Sequence, residues 1–541
     1  LSETKKQNYL KGAAILAATG ILTKIITAVY KIPVLNLLGD TGAGHFQIAL
    51  NLYTLLLTIS TAGIPVALSR LVSAASSTGR DRLVKRYFSV ALPFFALLGL
   101  VLTLIMLIFA DPLASFMGDV QGGLGIQVLA PAVFFSCVIS IYRGYFQGHN
   151  NMIPTAVSQL MEALSKFIIG LLIVWLLIQA GYDSSVATAG SYVGSTIGLG
   201  LCIPVLIFLK FRFDKRSAHH RLPVHDRETA GRGAVLLQIF KVSIPITLGS
   251  SILNIMTFAD TKIVMSRLQD GAHFTYEQAL ALYGVYTKGL SVFNFPSSLI
   301  VPVAVSIVPV IAAAIATGRH REAKGIMESS LKLTNLIAMP AGVGMAILSV
   351  PIFKVLYWNS NPIGPALLAT FGIASYFMCA QLVTIGILQA TGHEKIPLVT
   401  CTVGGLFQIA LDAYLTGQPD INIMGSPFGT LICYGAITIL NLMFINFKVS
   451  ERPELSKVFV KPALCTAVMG VAAWAVYELL FKAGAETLGD GRLALAVYLF
   501  GAIAAAVLVY GILVIATKTV TRDDMRLIPR GERIANFLKI K

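Results

Sequence analysis

Thr19–Leu35 reads TGILTKIITAVYKIPVL. The stretch is apolar enough to span a bilayer, yet it carries Lys24 near its middle and Lys31 towards its far end. A lysine at mid-bilayer costs roughly 2.5–3.5 kcal/mol on insertion scales, so it normally faces a protein interior or a watery cavity. Lys24 and Lys31 are seven residues apart, about two helical turns, and therefore point the same way. Thr27 and Ala28 lie between them on that face. We read the stretch as a helix presenting positive charge to an internal cavity. The competing reading, in which Lys24 is paired with a buried carboxylate and is only structural, stays open at this point.

The rest of the chain agrees with a membrane setting. Of 541 residues, 56% are hydrophobic and 13% charged, against about 25% charged in a soluble globular protein. Mean hydropathy is +0.76. Apolar runs of about 20 residues recur, each able to cross a hydrocarbon core of about 30 Å. Nothing alternates in the ten-residue manner of barrel strands. The net charge of +16 sits in short loops and tails, which the positive-inside rule and anionic lipid explain without a nucleic-acid partner. The six cysteines scatter through apolar runs with no CxxC pair, so neither a disulfide nor zinc is expected. The first apolar run is too long for a cleaved signal peptide and lacks a small-residue cleavage site, so it is expected to remain as a helix.

The expected fold class is all-α: a polytopic membrane protein with fourteen transmembrane helices. They are placed near 12–35, 46–69, 87–109, 124–147, 153–178, 186–209, 237–266, 281–316, 331–356, 364–390, 396–416, 425–446, 462–481 and 494–517. The eighth contains Pro296, Pro302 and Pro309 and should be kinked or broken. Basic residues recur in alternate loops: Lys5, Lys6 and Lys11, then Arg70 to Arg86, the connector 210–232, Arg319 to Lys324, Lys448 to Lys457, and the tail. That alternation puts both termini in the cytoplasm.

Two short matches suggest an internal repeat. Ile64–Ser69 (IPVALS) resembles Val301–Ser306 (VPVAVS), and Gly148-His149 with Ile153-Pro154 resembles Gly392-His393 with Ile396-Pro397. Both offsets are about 240 residues, which fits parallel repeats. The expected organisation is an N-lobe over 1–209, a basic linker over 210–236, a C-lobe over 237–446, and two extra helices with a basic tail over 447–541.

Few other charges fall inside the expected spans. Glu162 and Lys166 are four apart and are expected to form a structural pair. Asp260, with Thr257 and Asn254 on its own helix, offers hard oxygen ligands; so does Asp412, with Gln408 one turn away. Lys262 and Lys288 add positive charge to the outer parts of helices seven and eight. No GxxxxGK[ST] loop or HExxH spacing occurs, so neither an ATP motor nor a metalloprotease is indicated. His149 and His393 are read as turn residues. Related lobes and a charged cavity without an energy-coupling domain point to a secondary transporter working by alternating access, not an enzyme.

Tyr142-Arg143-Gly144-Tyr145-Phe146-Gln147-Gly148-His149, continuing into Pro154-Thr155-Ala156-Val157-Ser158-Gln159, resembles the RGFFQGH…PTAVSQ signature of the stage V sporulation protein B and MurJ-type polysaccharide flippases. Tyr30, Pro33, Gly39, Phe46-Gln47, Asn51-Leu52-Tyr53-Thr54 and Gly63-Ile64-Pro65 resemble the first two helices of the same family. The resemblance implies the multidrug/oligosaccharidyl-lipid/polysaccharide exporter fold. It also implies flipping of an undecaprenyl-pyrophosphate-linked saccharide, with the peptidoglycan precursor lipid II as the leading candidate, in the bacterial cytoplasmic membrane. Thr23-Lys24 matches the place of a Ser/Thr-Arg pair in the lipid II flippases. Leu57-Thr58 and Ala62 replace that branch's arginine-bearing stretch and glutamate, so another polysaccharide lipid, in growth or in sporulation, stays open.

On this reading Lys24, Lys31, Lys262 and Lys288 bind the pyrophosphate. Asp260, Asp412, Asn254 and Thr257 are candidate ligands for a coupling Na⁺ or proton; no other cofactor and no firm metal site is expected. The partners are the lipid-linked saccharide and membrane lipids, and the transporter is expected to be a monomer. The rival readings are a cation-coupled drug or metabolite antiporter of the same fold, a polytopic glycosyl or phosphoglycan transferase, and a membrane scaffold.

Overall fold

A computed structural model of the chain describes residues 3–218, 231–449, 452–484, 489 and 491–520. Most of the expected basic linker and the basic tail, 219–230 and 521–541, lie outside the described residues.

Among the described residues the protein is helical throughout, with no strand. The helices are α1 (Glu3–Thr61), α2 (Ile64–Ser77), α3 (Asp81–Ile108), α4 (Ala110–Phe116), α5 (Gly123–Gly148), α6 (Ile153–Ser165), α7 (Leu171–Gln179), α8 (Ser184–Ala218), α9 (Arg232–Ser266), α10 (Tyr276–Phe293), α11 (Phe295–Ala316), α12 (His320–Ile347), α13 (Ser349–Leu356), α14 (Gly364–Ala390), α15 (Lys395–Leu415), α16 (Gly425–Lys448), α17 (Leu455–Gly484) and α18 (Arg492–Ala516). A π-helical turn, Lys166–Gly170, joins α6 to α7.

Thirteen stretches among the described residues are long and apolar enough to cross a membrane. The count differs from fourteen because the first two expected helices run on as one stretch, Ala18–Ser77, of 60 residues. That stretch is not straight. Gly39 takes φ 71° and ψ −166° inside α1, and the Lys31 ammonium lies 5.9 Å from the centre of the Phe46 ring. Fifteen residues of straight helix would separate the two by about 22 Å, so α1 doubles back at Gly39. Only glycine enters that backbone region without steric cost. The expected eighth helix is broken at Asn294, where Pro296 opens the first turn of α11; a missing N–H is harmless there.

The chain forms two compact units. The first is Leu1–Ser266 with Phe274–Gly284; the second is Arg267–His273 with Val285–Lys541. The division differs from the expected lobe boundary, because α9 packs with the first six expected spans. Polar groups stitch it there: the Gly63 N–H donates to Thr247 Oγ1 at 3.1 Å, Asn254 Nδ2 to Thr58 Oγ1 at 3.1 Å, and the Tyr87 hydroxyl to Gln238 Oε1 at 2.7 Å.

Each unit is built on one central helix. The α5 and α14 spans are 67% and 72% buried, against at most 39% for the other spans. Small residues let neighbours approach them. A Cβ on Gly148 would lie 2.6 Å from that of Val72, and one on Gly372 would lie 2.7 Å from the Gly342 carbonyl oxygen.

The repeat is visible in the backbone. The order α3, α4, α5, α6 recurs as α12, α13, α14, α15, in both cases a long helix, a short one, the central helix and a proline-initiated or proline-containing partner. The sharpest match is one that sequence comparison overlooked: Thr78-Gly79-Arg80 and Thr317-Gly318-Arg319. Both glycines are left-handed, φ 72° and 71°. Both arginine N–H groups donate back to an alanine carbonyl at 2.9 Å, Ala75 and Ala314. In this register Ile64–Ser69 and Val301–Ser306 are not equivalent. Pro65 opens α2, whereas Pro302 sits inside α11.

Candidate substrate site

Lys31 and Lys166 of the first unit are held over neighbouring aromatic residues. Tyr30 is fully buried, and its hydroxyl donates to the Ser191 carbonyl at 3.0 Å. Phe46 is fully buried and stacks on Tyr192, the next residue of α8, with ring centres 5.2 Å apart. The Lys166 ammonium lies 5.3 Å from the centre of the Tyr30 ring, and that of Lys31 lies 5.9 Å from Phe46. A cation over a ring face is worth about 0.5–2 kcal/mol, more when desolvated. The two lysines sense each other's charge.

Glu162 does not serve as the ion-pair partner of Lys166, contrary to the expected pair. It takes Arg143, Nη2 to Oε2 at 3.3 Å, and acts on Lys166 only at longer range. Arg143 also donates from Nε to Ser158 Oγ at 2.8 Å. Arg143 and Ser158 are the motif residues on the two sides of the α5–α6 turn, so this part of the motif clamps two helices. His149 completes the turn with Nδ1 2.9 Å from the Tyr145 carbonyl oxygen, a turn role as expected.

Lys24 is exposed and makes no hydrogen bond or ion pair among the described residues. Lys262 is partly buried, its ammonium 5.1 Å from the Phe116 ring centre. It forms no ion pair with Asp260, because residues two apart on a helix diverge. Asp260, Asn254 and Thr257 belong to the first unit. The hub of α9 is their neighbour Thr261. Its Oγ1 accepts from Asn51 Nδ2 at 2.8 Å and from the Tyr283 hydroxyl at 3.0 Å, and donates to the Thr257 carbonyl at 2.8 Å.

A second buried polar cluster was not foreseen. His45 Nδ1 lies 2.8 Å from Asp119 Oδ2, and the Tyr276 hydroxyl donates to Asp119 Oδ1 at 2.7 Å. His45 and Asp119 are 1% and 0% exposed, so the carboxylate depends on these donors. Burial and the Asp119 carboxylate raise Tyr276 above the usual phenol range, keeping it a neutral donor. The three residues come from distant parts of the chain, and no local spacing announces them.

The remaining candidates belong to the second unit. Lys288 is buried, with its ammonium 5.5 Å from the Tyr357 ring centre. Asp412 is fully buried. A Cβ on Gly429 would fall 2.0 Å from Asp412 Oδ1, so this carboxylate occupies space that only a glycine of α16 leaves. Gln408 donates from Nε2 to Thr430 Oγ1 at 3.4 Å.

Residues 9–315 match the family described as polysaccharide biosynthesis protein. The stage V sporulation protein B of Bacillus subtilis is 26% identical over 532 residues, covering 97% of this chain and 98% of its own. The lipid II flippase MurJ of Bacillus subtilis is 24% identical over 525 residues, covering 93% of this chain and 94% of its own. The solved structure of a lipid II flippase MurJ in an inward closed conformation superposes with a TM-score of 0.63 at 16% identity, covering 94% of this chain and 98% of that one. This last likeness concerns the fold alone.

Proposed function

Because the chain belongs to the polysaccharide biosynthesis protein family, we infer that this multi-pass membrane protein is a flippase for a lipid-linked saccharide in the bacterial cytoplasmic membrane. The observation that carries this reading is a set of lysines within the spans of the first unit. Lys24, Lys31 and Lys262 have no carboxylate partner among the described residues. A pyrophosphate-linked sugar cannot enter hydrocarbon, and charge of opposite sign at that depth lowers its barrier. Lysine holds phosphate as a point charge, without the two-point geometry of arginine, which suits a carrier that must release what it binds. Likeness to a lipid II flippase along most of both chains supports lipid II as the substrate, moved by alternating access from the cytoplasmic to the outer leaflet, with both termini cytoplasmic.

The driving force is assigned first to the membrane potential. An inside-negative potential favours outward movement of an anionic head by about 2.3 kcal/mol per charge at 100 mV. Asp260 and Asp412 are the groups through which Na⁺ or a proton would bias the cycle.

The test is a reconstituted flipping assay in which vesicles carry either lipid II or an undecaprenyl-pyrophosphate saccharide without peptide, run beside a cationic drug efflux assay. The inference expects movement of lipid II and no drug efflux. Drug efflux without movement of either lipid would replace it with an antiporter.

A further inference from the structure

We propose that Lys31 and Lys166 together form an anion subsite of the first unit, built to take the diphosphate group of a lipid-linked substrate; the identity of that substrate rests on the flippase reading above. The platforms beneath the two ammoniums are fixed. Tyr30 is tied to Ser191 and Phe46 stacks on Tyr192, so consecutive residues of α8 anchor both rings. Lys166 rests on Tyr30 and Lys31 on Phe46, which brings two positive charges together in a lipid-spanning unit. Like charges gathered at such depth are unfavourable unless an anion joins them.

The protein supplies no such anion at short range. Neither lysine forms an ion pair or hydrogen bond with a described residue, and the nearby Glu162 is engaged by Arg143. Glu162 is thus matched by Arg143, and neither lysine has a carboxylate of its own among the described residues. Both lysine residues are intermediate in exposure rather than fully buried. The local backbone points the same way. Lys166 is the first residue of the π-helical turn Lys166–Gly170, and such turns inside α-helices frequently mark functional positions. The close approach of α8 beside that turn is fixed as well, because Ser165 Oγ donates to the Gly194 carbonyl at 2.9 Å. A diphosphate, with two negatively charged groups a few ångströms apart, matches two point charges better than a single carboxylate does.

The experiment uses the full chain in lipid nanodiscs and two probes, radiolabelled inorganic pyrophosphate and undecaprenyl diphosphate without sugar. The expected result is binding of both by the wild type. Lys31→Gln and Lys166→Gln should each weaken both by about tenfold or more, the scale of losing one charged hydrogen-bonding group. Lys166→Arg should retain most of the affinity. Addition of pyrophosphate should raise the melting temperature of the wild type and not that of Lys166→Gln. If Lys166→Gln does not fold, Lys166→Met, of similar length, takes its place. Wild-type affinity in the glutamine or methionine variant overturns the subsite, and so does a wild type that binds neither probe. Pyrophosphate binding that is lost in the variants, alongside no binding of undecaprenyl diphosphate, keeps the subsite as one for a free anion and removes the lipid-linked reading instead.

Discussion

At the residue scale, Thr261 shows what a single hydroxyl holds. It accepts from Asn51 on α1 and from Tyr283 on α10, and donates along its own helix. Thr261→Val keeps the shape and removes the acceptor that the Asn51 amide and the Tyr283 hydroxyl share. The expected loss is about 1–3 kcal/mol, read as a lower melting temperature of the purified protein; an unchanged value would contradict the hub role. Lys24 makes the opposite prediction. It is exposed and has no partner among the described residues, so Lys24→Gln should leave the melting temperature unchanged and reduce lipid flipping at least tenfold. Lys24 and Lys31 stand out in the sequence because a charge inside an apolar run is a local signal. The partner of Glu162 does not. Spacing of four suggested Lys166, but Arg143 arrives from another helix, and partners brought by tertiary packing leave no mark on local periodicity.

At the scale of elements, the Asp412 carboxylate and Gly429 define how closely α15 and α16 approach. Gly429→Ala would place a methyl group 2.0 Å from Asp412 Oδ1. Either the helices separate or the carboxylate is driven from its place, at about 1–3 kcal/mol for an overpacked core, and thermal unfolding of that variant measures it. Wild-type stability would mean that the carboxylate has somewhere else to go. The helices themselves were largely readable, since runs of about 20 apolar residues have few alternatives. Their breaks were less so. Pro296 correctly signalled an interrupted eighth helix, whereas the reversal at Gly39 was hidden because one glycine in an apolar run carries no directional information. The Gly-His pairs pointed to the repeat without marking equivalent positions: Gly148 ends α5, whereas Gly392 follows α14 with φ 81°, where the first unit has Asn150 at φ 57°. The repeat's most faithful copy, the turns at Gly79 and Gly318, was overlooked because three residues recurring once look like chance until their dihedral angles coincide.

At the scale of the whole molecule, the proposed function moves an anionic head through a protein whose first unit carries lysines with no carboxylate partner among the described residues. If the potential drives the cycle, imposing an inside-negative potential on vesicles should speed outward flipping, and a sodium gradient should add nothing. If Asp260 or Asp412 binds the coupling ion, Asp260→Asn or Asp412→Asn should abolish a sodium or pH dependence seen in the wild type. Unchanged ion dependence in both variants would leave the potential as the driver. The central claim is that these lysines carry a lipid-linked diphosphate across the membrane. The most direct measurement is the rate at which labelled lipid II, placed in the inner leaflet of proteoliposomes, becomes accessible to an impermeant reagent outside. The wild type should expose it far faster than protein-free vesicles, and Lys24→Gln and Lys31→Gln should fall at least tenfold below the wild type. Equal rates in the wild type and both lysine variants would contradict the account.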